Sequence, residues 1–234
     1  MFTGGMVDGP GIRSVVFLAG CNLRCKYCHN PDTWSMARGD DKTVGEILDE
    51  VLKYKSYYKF SGGGATLSGG EPMFQPRFLT EILAGCKENG VHTTLDTSGS
   101  ASLEDAKKIL TYTDLLLLDI KTINPDIYLE LTKVPLDKTI GVLDTARQMD
   151  IPTWIRFVLV PGITDNEDDI KKLATFLQDY DNVTNIEVLP FHKDGEYKWS
   201  DLNIPYELSG TPPPSPDEVL RVSEILARYP IKSQ

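Results

Sequence analysis

Three of the four cysteines in this chain, Cys21, Cys25 and Cys28, stand together in the order C-x3-C-x2-C. Thiolates are soft ligands, so such a group selects zinc or iron–sulfur over calcium or magnesium. A structural zinc site or an ordinary cubane wants four protein ligands. The remaining cysteine, Cys86, lies far along the chain inside a helical pattern, where it reads as a small buried apolar residue. Three thiolates at this spacing therefore predict a [4Fe–4S] cluster with one iron left open to a substrate or cofactor. His29 offers a fourth ligand for a zinc knuckle, but zinc spacings pair their ligands as C-x2-4-C with a distant second pair. Disulfides fit worse, because three clustered cysteines cannot all pair and nothing suggests secretion.

Further groups with chemical potential recur at intervals. Ser68-Gly69-Gly70-Glu71-Pro72 carries two glycines that let a backbone approach a ligand without a Cβ clash. It is not a phosphate loop, since no Gly-Lys-Ser/Thr follows. Asp96 and Asp119 each close an apolar run, and either would serve equally as a helix cap. Lys121 follows four leucines, Arg156 is embedded in an apolar segment, and His192 is one of only three histidines. Arginine is seldom buried unless paired. His92 opens a strand and reads as structural.

The elements that must position these groups alternate. Strands are expected at 13–18, 65–67, 91–96, 115–121, 154–160 and 185–189. Between them, Thr43 with Glu46 forms a capping box before a helix, as Ser215 with Glu218 does for the last one. Helices are also expected around Phe78–Cys86, after Ser102, at 138–149 and around Ile170–Leu177, while Gly4–Gly11 and 35–42 read as turn and loop. Six strand–helix units predict a parallel α/β sheet, short of the eight that close a full barrel. The expected fold is a partial (βα)6 barrel in a single domain over 1–234. Ligands of such sheets sit at the C-terminal strand ends, where the cysteines, Gly70, Asp96, Asp119, Lys121 and His192 all fall.

Composition narrows the function. Twenty-four basic residues stand against 34 acidic ones, a net charge of −10, the wrong sign for gripping a polyanion. No apolar run approaches the roughly 18 residues that span a bilayer. Met1–Gly5 lacks the charged and apolar regions of a signal peptide. A reducing cytoplasm, no membrane and no nucleic acid are the expectations.

The cysteine triplet is flanked by Val7-Asp8-Gly9-Pro10-Gly11-Ile12-Arg13 and by Tyr27-Cys28-His29-Asn30-Pro31-Asp32-Thr33-Trp34. Together these stretches resemble the radical S-adenosylmethionine enzymes, and within them the activases of glycyl radical enzymes, in the branch acting on pyruvate formate-lyase. The resemblance covers nearly the whole chain, although only seven residues precede Asp8, fewer than the usual first strand has. That edge is expected to be shorter, or the stated start to be internal. The resemblance implies an anaerobic oxidoreductase that cleaves S-adenosylmethionine to a 5′-deoxyadenosyl radical and so makes a glycyl radical on its partner. It implies that Cys21, Cys25 and Cys28 hold the cluster. The cofactor would be bound by Tyr27, Cys28, His29, Gly70, Glu71, Asp96, Asp119, Ile120, Lys121, Arg156 and His192. A monovalent cation (Na+ or K+) would sit among Asp96, Thr97, the Leu117 carbonyl and Asp119. The partners implied are a glycine-bearing loop of pyruvate formate-lyase and reduced flavodoxin or ferredoxin as electron donor, with the chain a monomer. The 39 residues between Cys28 and Ser68 hold no cysteine, so the ferredoxin-like insert of some other activases is absent. The alternatives are an activase of another glycyl radical enzyme, a radical enzyme acting on a small molecule, and a non-catalytic iron–sulfur carrier or sensor.

Overall fold

The computed structural model describes residues 2–5 and 8–227; Val7, the first residue of the flanking motif, lies outside them. Seven strands form one sheet in sequential order: β1 (Phe2–Gly5), β2 (Arg13–Leu18), β3 (Gly64–Gly69), β4 (His92–Thr97), β5 (Leu115–Asp119), β6 (Thr153–Leu159) and β7 (Val183–Pro190). From β2 to β7 every pairing is parallel, as the alternation of strands and helices requires. The sheet keeps β1 and β7 as its two edges, so the six-stranded parallel barrel is open.

β1 corrects the reading of Gly4–Gly11 as pure turn. It pairs antiparallel with β2, Phe2 opposite Val15 and Thr3 opposite Ser14. Two of its four residues are glycine, so it carries no side-chain alternation from which a strand is read. Helices α1 (Val44–Leu52), α3 (Pro76–Glu88), α4 (Leu103–Leu110), α6 (Asp137–Gln148), α7 (Glu167–Leu177) and α9 (Pro216–Ala227) lie where expected. Three further ones, α2 (Lys55–Ser61), α5 (Pro125–Thr132) and α8 (Glu196–Asp201), are short. The Thr43 hydroxyl accepts from the Glu46 amide and the Glu46 carboxylate from the Thr43 amide, so the capping box forms.

Period-two alternation sorts the strand residues. Val16, Leu18, Ala65, Leu67, Leu95, Leu116, Leu118, Ile155, Phe157 and Leu159 face the helices and make the main core, together with Cys86. The intervening residues face the inside of the barrel, and there the register makes a row of charges: Asp119 opposite Arg156, and Arg156 opposite Glu187. The floor is plugged by Arg13, which is fully buried. Its guanidinium donates to Thr66 Oγ1 at 2.6 Å, the Ala65 carbonyl at 2.8 Å, the Pro10 carbonyl at 3.0 Å and the His92 carbonyl at 3.2 Å. Burial lowers its pKa to about 10, with Tyr58, Asp8 and Asp114 opposing the shift. The Thr66 hydroxyl donates in turn to the Asp8 carbonyl at 2.7 Å, so Arg13 fixes the turn that brings Asp8 under the cavity. No helix among the described residues is long and apolar enough to cross a membrane.

Candidate active site

The cysteine loop leaves β2 at Gly20, whose φ of +95° demands glycine. Its amide donates to the Thr33 carbonyl at 2.7 Å, and its carbonyl accepts from Glu71 at 2.8 Å. Arg24 and Lys26 amides donate to the Thr132 and Leu131 carbonyls, tying the loop to the end of α5. Leu23 and Cys25 pack with Tyr128, Val134 and Leu136 in a small apolar cluster. Cys21, Cys25 and Cys28 all line one cavity of about 570 Å³. Burial pushes the Cys21 thiol up to about 11 and Cys25 to about 12. Among the described residues no three His, Cys, Asp or Glu side chains gather closely enough to hold a single metal ion. Three thiols around one cavity but not around one point suit a cluster, in which each takes its own iron, better than one zinc.

Beside the cysteines, β3 ends in Gly69, with φ of +120°, and Gly70 follows it, where a Cβ would meet the Gly20 carbonyl oxygen at 2.4 Å. Gly69 is thus demanded by its φ and by the close approach of Leu18 on β2, Gly70 by that of the cysteine loop, and both line the cavity. Glu71 does not. Its buried carboxylate accepts from the Met73 amide, the Thr97 hydroxyl, and the Ser98 amide and hydroxyl, at 2.5–3.0 Å. Burial raises its pKa, and these donors oppose the shift. Glu71 therefore spends its carboxylate on its own chain, and its amide on the Gly20 carbonyl.

Across the cavity, Asp96 accepts from Ser68 at 2.6 Å and from Arg156 Nη1 at 3.1 Å. Lys121 Nζ donates to Asp119 Oδ2 at 2.8 Å and lies 5.5 Å from the centre of the Tyr27 ring. Burial alone would lower the Lys121 pKa; Asp119 and the neighbouring Tyr27 and Cys25 hold it well above the ordinary range. The buried Tyr27 hydroxyl has no partner. The His29 and His192 rings stand 4.1 Å apart, and the His29 ring N–H donates to the His192 carbonyl at 2.9 Å.

The cavity thus gathers Cys21, Cys25, Tyr27, Cys28, His29, Gly70, Asp96, Thr97, Asp119, Lys121, Arg156 and His192 from six parallel strands and their loops. Leu117 and Ile120 are fully buried and do not line it. The expected cation set fits poorly, because Asp96 and Asp119 already face Arg156 and Lys121, and the Thr97 hydroxyl is turned to Glu71.

The Radical SAM superfamily model matches residues 15–176. The pyruvate formate-lyase-activating enzyme of Listeria monocytogenes is 44% identical over 230 residues, 96% of this chain and 93% of that one. That of Streptococcus mutans is 46% identical over 233 residues, 95% of this chain and 87% of that one. The chain belongs to the radical SAM superfamily, in its family of pyruvate formate-lyase-activating enzymes. A radical SAM enzyme uses a [4Fe–4S] cluster and S-adenosylmethionine, and the three-thiol cavity fits both. Among solved structures, a domain of the pyruvate-formate lyase-activating enzyme from Bacteroides vulgatus superposes with a TM-score of 0.60 at 28% identity, over 74% of this chain and 98% of that one. Streptococcus suis SuiB superposes at 0.70 over 93% of this chain with 17% identity, a likeness of fold alone.

Two acids that face Arg156 escape a reading of the sequence: Asp8, which lines this radical SAM cavity, and Glu187, which does not. Asp8 and Glu187 approach Arg156 from the floor turn and from β7, and Arg156 Nε, buried without a hydrogen-bond partner, lies 3.6 Å from Glu187 Oε2. Burial and the Asp96 charge raise the Asp8 pKa, and burial raises that of Glu187. The signal for Glu187 is its place between Ile186 and Val188, two residues that pack on the core; an acid there must face the barrel interior.

Proposed function

We propose that this protein activates pyruvate formate-lyase by generating a glycyl radical on it. The observation that carries the reading is the opening of Cys21, Cys25 and Cys28 onto the same cavity as Lys121, Asp96, Arg156 and His192. Cys21, Cys25 and Cys28 would hold the cluster, leaving one iron for S-adenosylmethionine. When bound, the cluster and S-adenosylmethionine supply reductive cleavage to a 5′-deoxyadenosyl radical, which takes the α-hydrogen of a glycine.

The chain supplies binding, orientation and exclusion of water. The Gly69–Glu71 backbone approaches the cysteine loop closely enough to receive an ammonium group of the cofactor. Lys121 offers positive charge to its carboxylate or hydroxyls, and Asp96, Asp119, Arg156 and the Ile120 backbone complete the polar wall. Tyr27 and His29, with His192, close the opposite wall. A monovalent cation would have to draw Asp96 and Asp119 away from Arg156 and Lys121. The open side between the β1 edge and β7 leaves a lateral mouth for an extended glycine-bearing loop. Such a loop is recognised largely through its backbone, since glycine offers no side chain. The protein works in the cytoplasm as a monomer, with residues 1–234 forming one domain, and is reduced by flavodoxin or ferredoxin.

The test mixes the protein, a reductant, S-adenosylmethionine and the pyruvate formate-lyase of the same organism under strict anaerobiosis. A glycyl radical doublet in the electron paramagnetic resonance spectrum, with 5′-deoxyadenosine, is the expected result. Deoxyadenosine without the doublet moves the activity to another glycyl radical enzyme or a small molecule. Neither product leaves an iron–sulfur carrier or sensor.

A further inference from the structure

The two sides of the cavity are held differently. On the cysteine side, a strap that follows β7 grips the loop from outside: Trp199 on α8 donates its indole N–H to the Cys28 carbonyl at 2.9 Å, and Lys198 donates to Asn30 Oδ1 at 2.8 Å. On the far side, Arg156 of β6 carries a planar fork of N–H donors and spends Nη1 on Asp96 Oδ1 at 3.1 Å. Its Nε, on a different edge of the fork, is buried and among the described residues has no hydrogen-bond partner. Glu187 Oε2 stands 3.6 Å from that nitrogen, within ion-pair reach and beyond a hydrogen bond.

The sheet puts Glu187 there. In register, Arg156 lies opposite Asp119 on β5 and opposite Glu187 on β7, and directly opposed residues of neighbouring strands share a face. β7 is an edge strand, so the Glu187 side chain is 28% exposed where that of Arg156 is 13%. Glu187 does not line the cavity, whereas Arg156, Asp96 and Ser68 do. Asp96 takes Arg156 on one oxygen and Ser68 on the other. A chain of polar contacts therefore runs from the open edge of the sheet, through Arg156 and Asp96, to the cavity wall.

A guanidinium fixed by one hydrogen bond is free to turn about it. A second carboxylate on another edge of the fork sets its plane, and with the plane the direction of every remaining N–H. We propose that Glu187 is a positioning residue for cofactor binding: acting on Arg156 Nε from the open edge, it fixes the donors that Arg156 presents to the cavity. This rests on the reading that the cavity holds S-adenosylmethionine.

The experiment uses the full chain, reconstituted anaerobically with iron and sulfide, as parent, Glu187→Met, Glu187→Gln, Arg156→Lys and the double variant Arg156→Lys with Glu187→Met. Iron per chain, melting temperature and S-adenosylmethionine affinity by equilibrium dialysis are measured for each. Glu187→Met keeps the length of the side chain and removes both charge and acceptor. It should hold parental iron and melting temperature while its affinity falls about fivefold. Glu187→Gln restores an acceptor without the charge, and should recover affinity to within about twofold of the parent. Lysine has no planar fork to orient, so adding Glu187→Met to Arg156→Lys should cost nothing further. Parental affinity in Glu187→Met overturns the proposal. An equal loss in both backgrounds also overturns it, because Glu187 would then act on the ligand without Arg156. If Glu187→Met does not fold, Glu187→Gln takes its place in both backgrounds, with a loss of about twofold expected in the parent alone and the same two results overturning. A parent that binds no S-adenosylmethionine removes the cavity reading and the proposal with it, and is told apart because it appears before any variant is compared.

Discussion

Lys121 Nζ lies 2.8 Å from Asp119 Oδ2, two residues earlier in the chain, and the two face the cavity together. An ammonium that is 8% exposed and already paired is poised to share its charge with an incoming carboxylate. Lys121→Ala removes that charge and leaves Asp119 to repel the ligand. We expect S-adenosylmethionine affinity to fall at least tenfold, about 1.4 kcal/mol, with the iron content unchanged. His192→Ala should weaken binding by less, since its side chain is half exposed. Equilibrium dialysis with labelled cofactor decides, and parental affinity in both variants places the binding pocket elsewhere.

Cys86 is fully buried on α3, where burial pushes its thiol up to about 12. It packs in the main core, away from the cavity. Cys86→Ala should keep full cluster content after anaerobic reconstitution and cost about 1 kcal/mol of stability. Loss of iron in this variant would remove the three-ligand assignment.

Glu71 concentrates four hydrogen bonds on one carboxylate, two from backbone amides and two from hydroxyls. Glu71→Gln turns an NH2 toward groups that are themselves donors, so at least one of the two buried backbone amides loses its acceptor. The expected cost is about 1–3 kcal/mol, which for a chain of this size lowers the melting temperature by roughly 2–4 °C for each kcal/mol. A parental melting temperature would show that the network can re-form around an amide.

At the floor of the barrel, Asp114 accepts from the Thr93 amide at 2.9 Å and hydroxyl at 3.0 Å and pairs with Lys87 at 3.0 Å. Burial alone would raise its pKa, but the Thr93 amide, the Lys87 ammonium and the Thr93 hydroxyl prevail and hold it below the usual carboxylate range. A folded pKa below the unfolded one contributes stability that is present above the unfolded value and lost as pH falls through the folded one. Asp114→Asn should therefore cost about 1 kcal/mol at neutral pH, and the gap from the parent should shrink below about pH 4. A gap independent of pH in urea titrations would show that the carboxylate is not the source.

How legible the site was depended on how local its signal is. Cys21, Cys25 and Cys28 announce themselves by spacing, and Asp96, Asp119 and His192 by ending apolar runs. The parallel strands were readable because Leu115–Leu118 and Thr153–Leu159 bury their residues in strand patterns. β1 was not, since Gly4 and Gly5 carry no alternation and the strand exists through its pairing with β2. The helix α5 carries a local signal of its own: Asn124 caps it and Pro125 stands at its first position. Arg13 is named in a motif, yet its role as a plug depends on carbonyls of β3 and β4 that only the folded sheet assembles. Glu71 is the reverse case, since its neighbours in sequence suggest a ligand contact while its folded neighbours consume its carboxylate.

Trp199 and the Cys28 carbonyl it binds are 171 residues apart in the chain. On a ribosome, at about 5–20 residues per second, roughly ten to thirty seconds separate the synthesis of the two. Throughout that interval the nascent chain carries three thiols without the strap that encloses them. Iron delivered early would meet an unshielded loop, open to air and to wrong metals. Filling the cavity is thus a task for the finished polypeptide, and a C-terminal truncation before α8 should yield chains that stay colourless under conditions where the full protein turns brown.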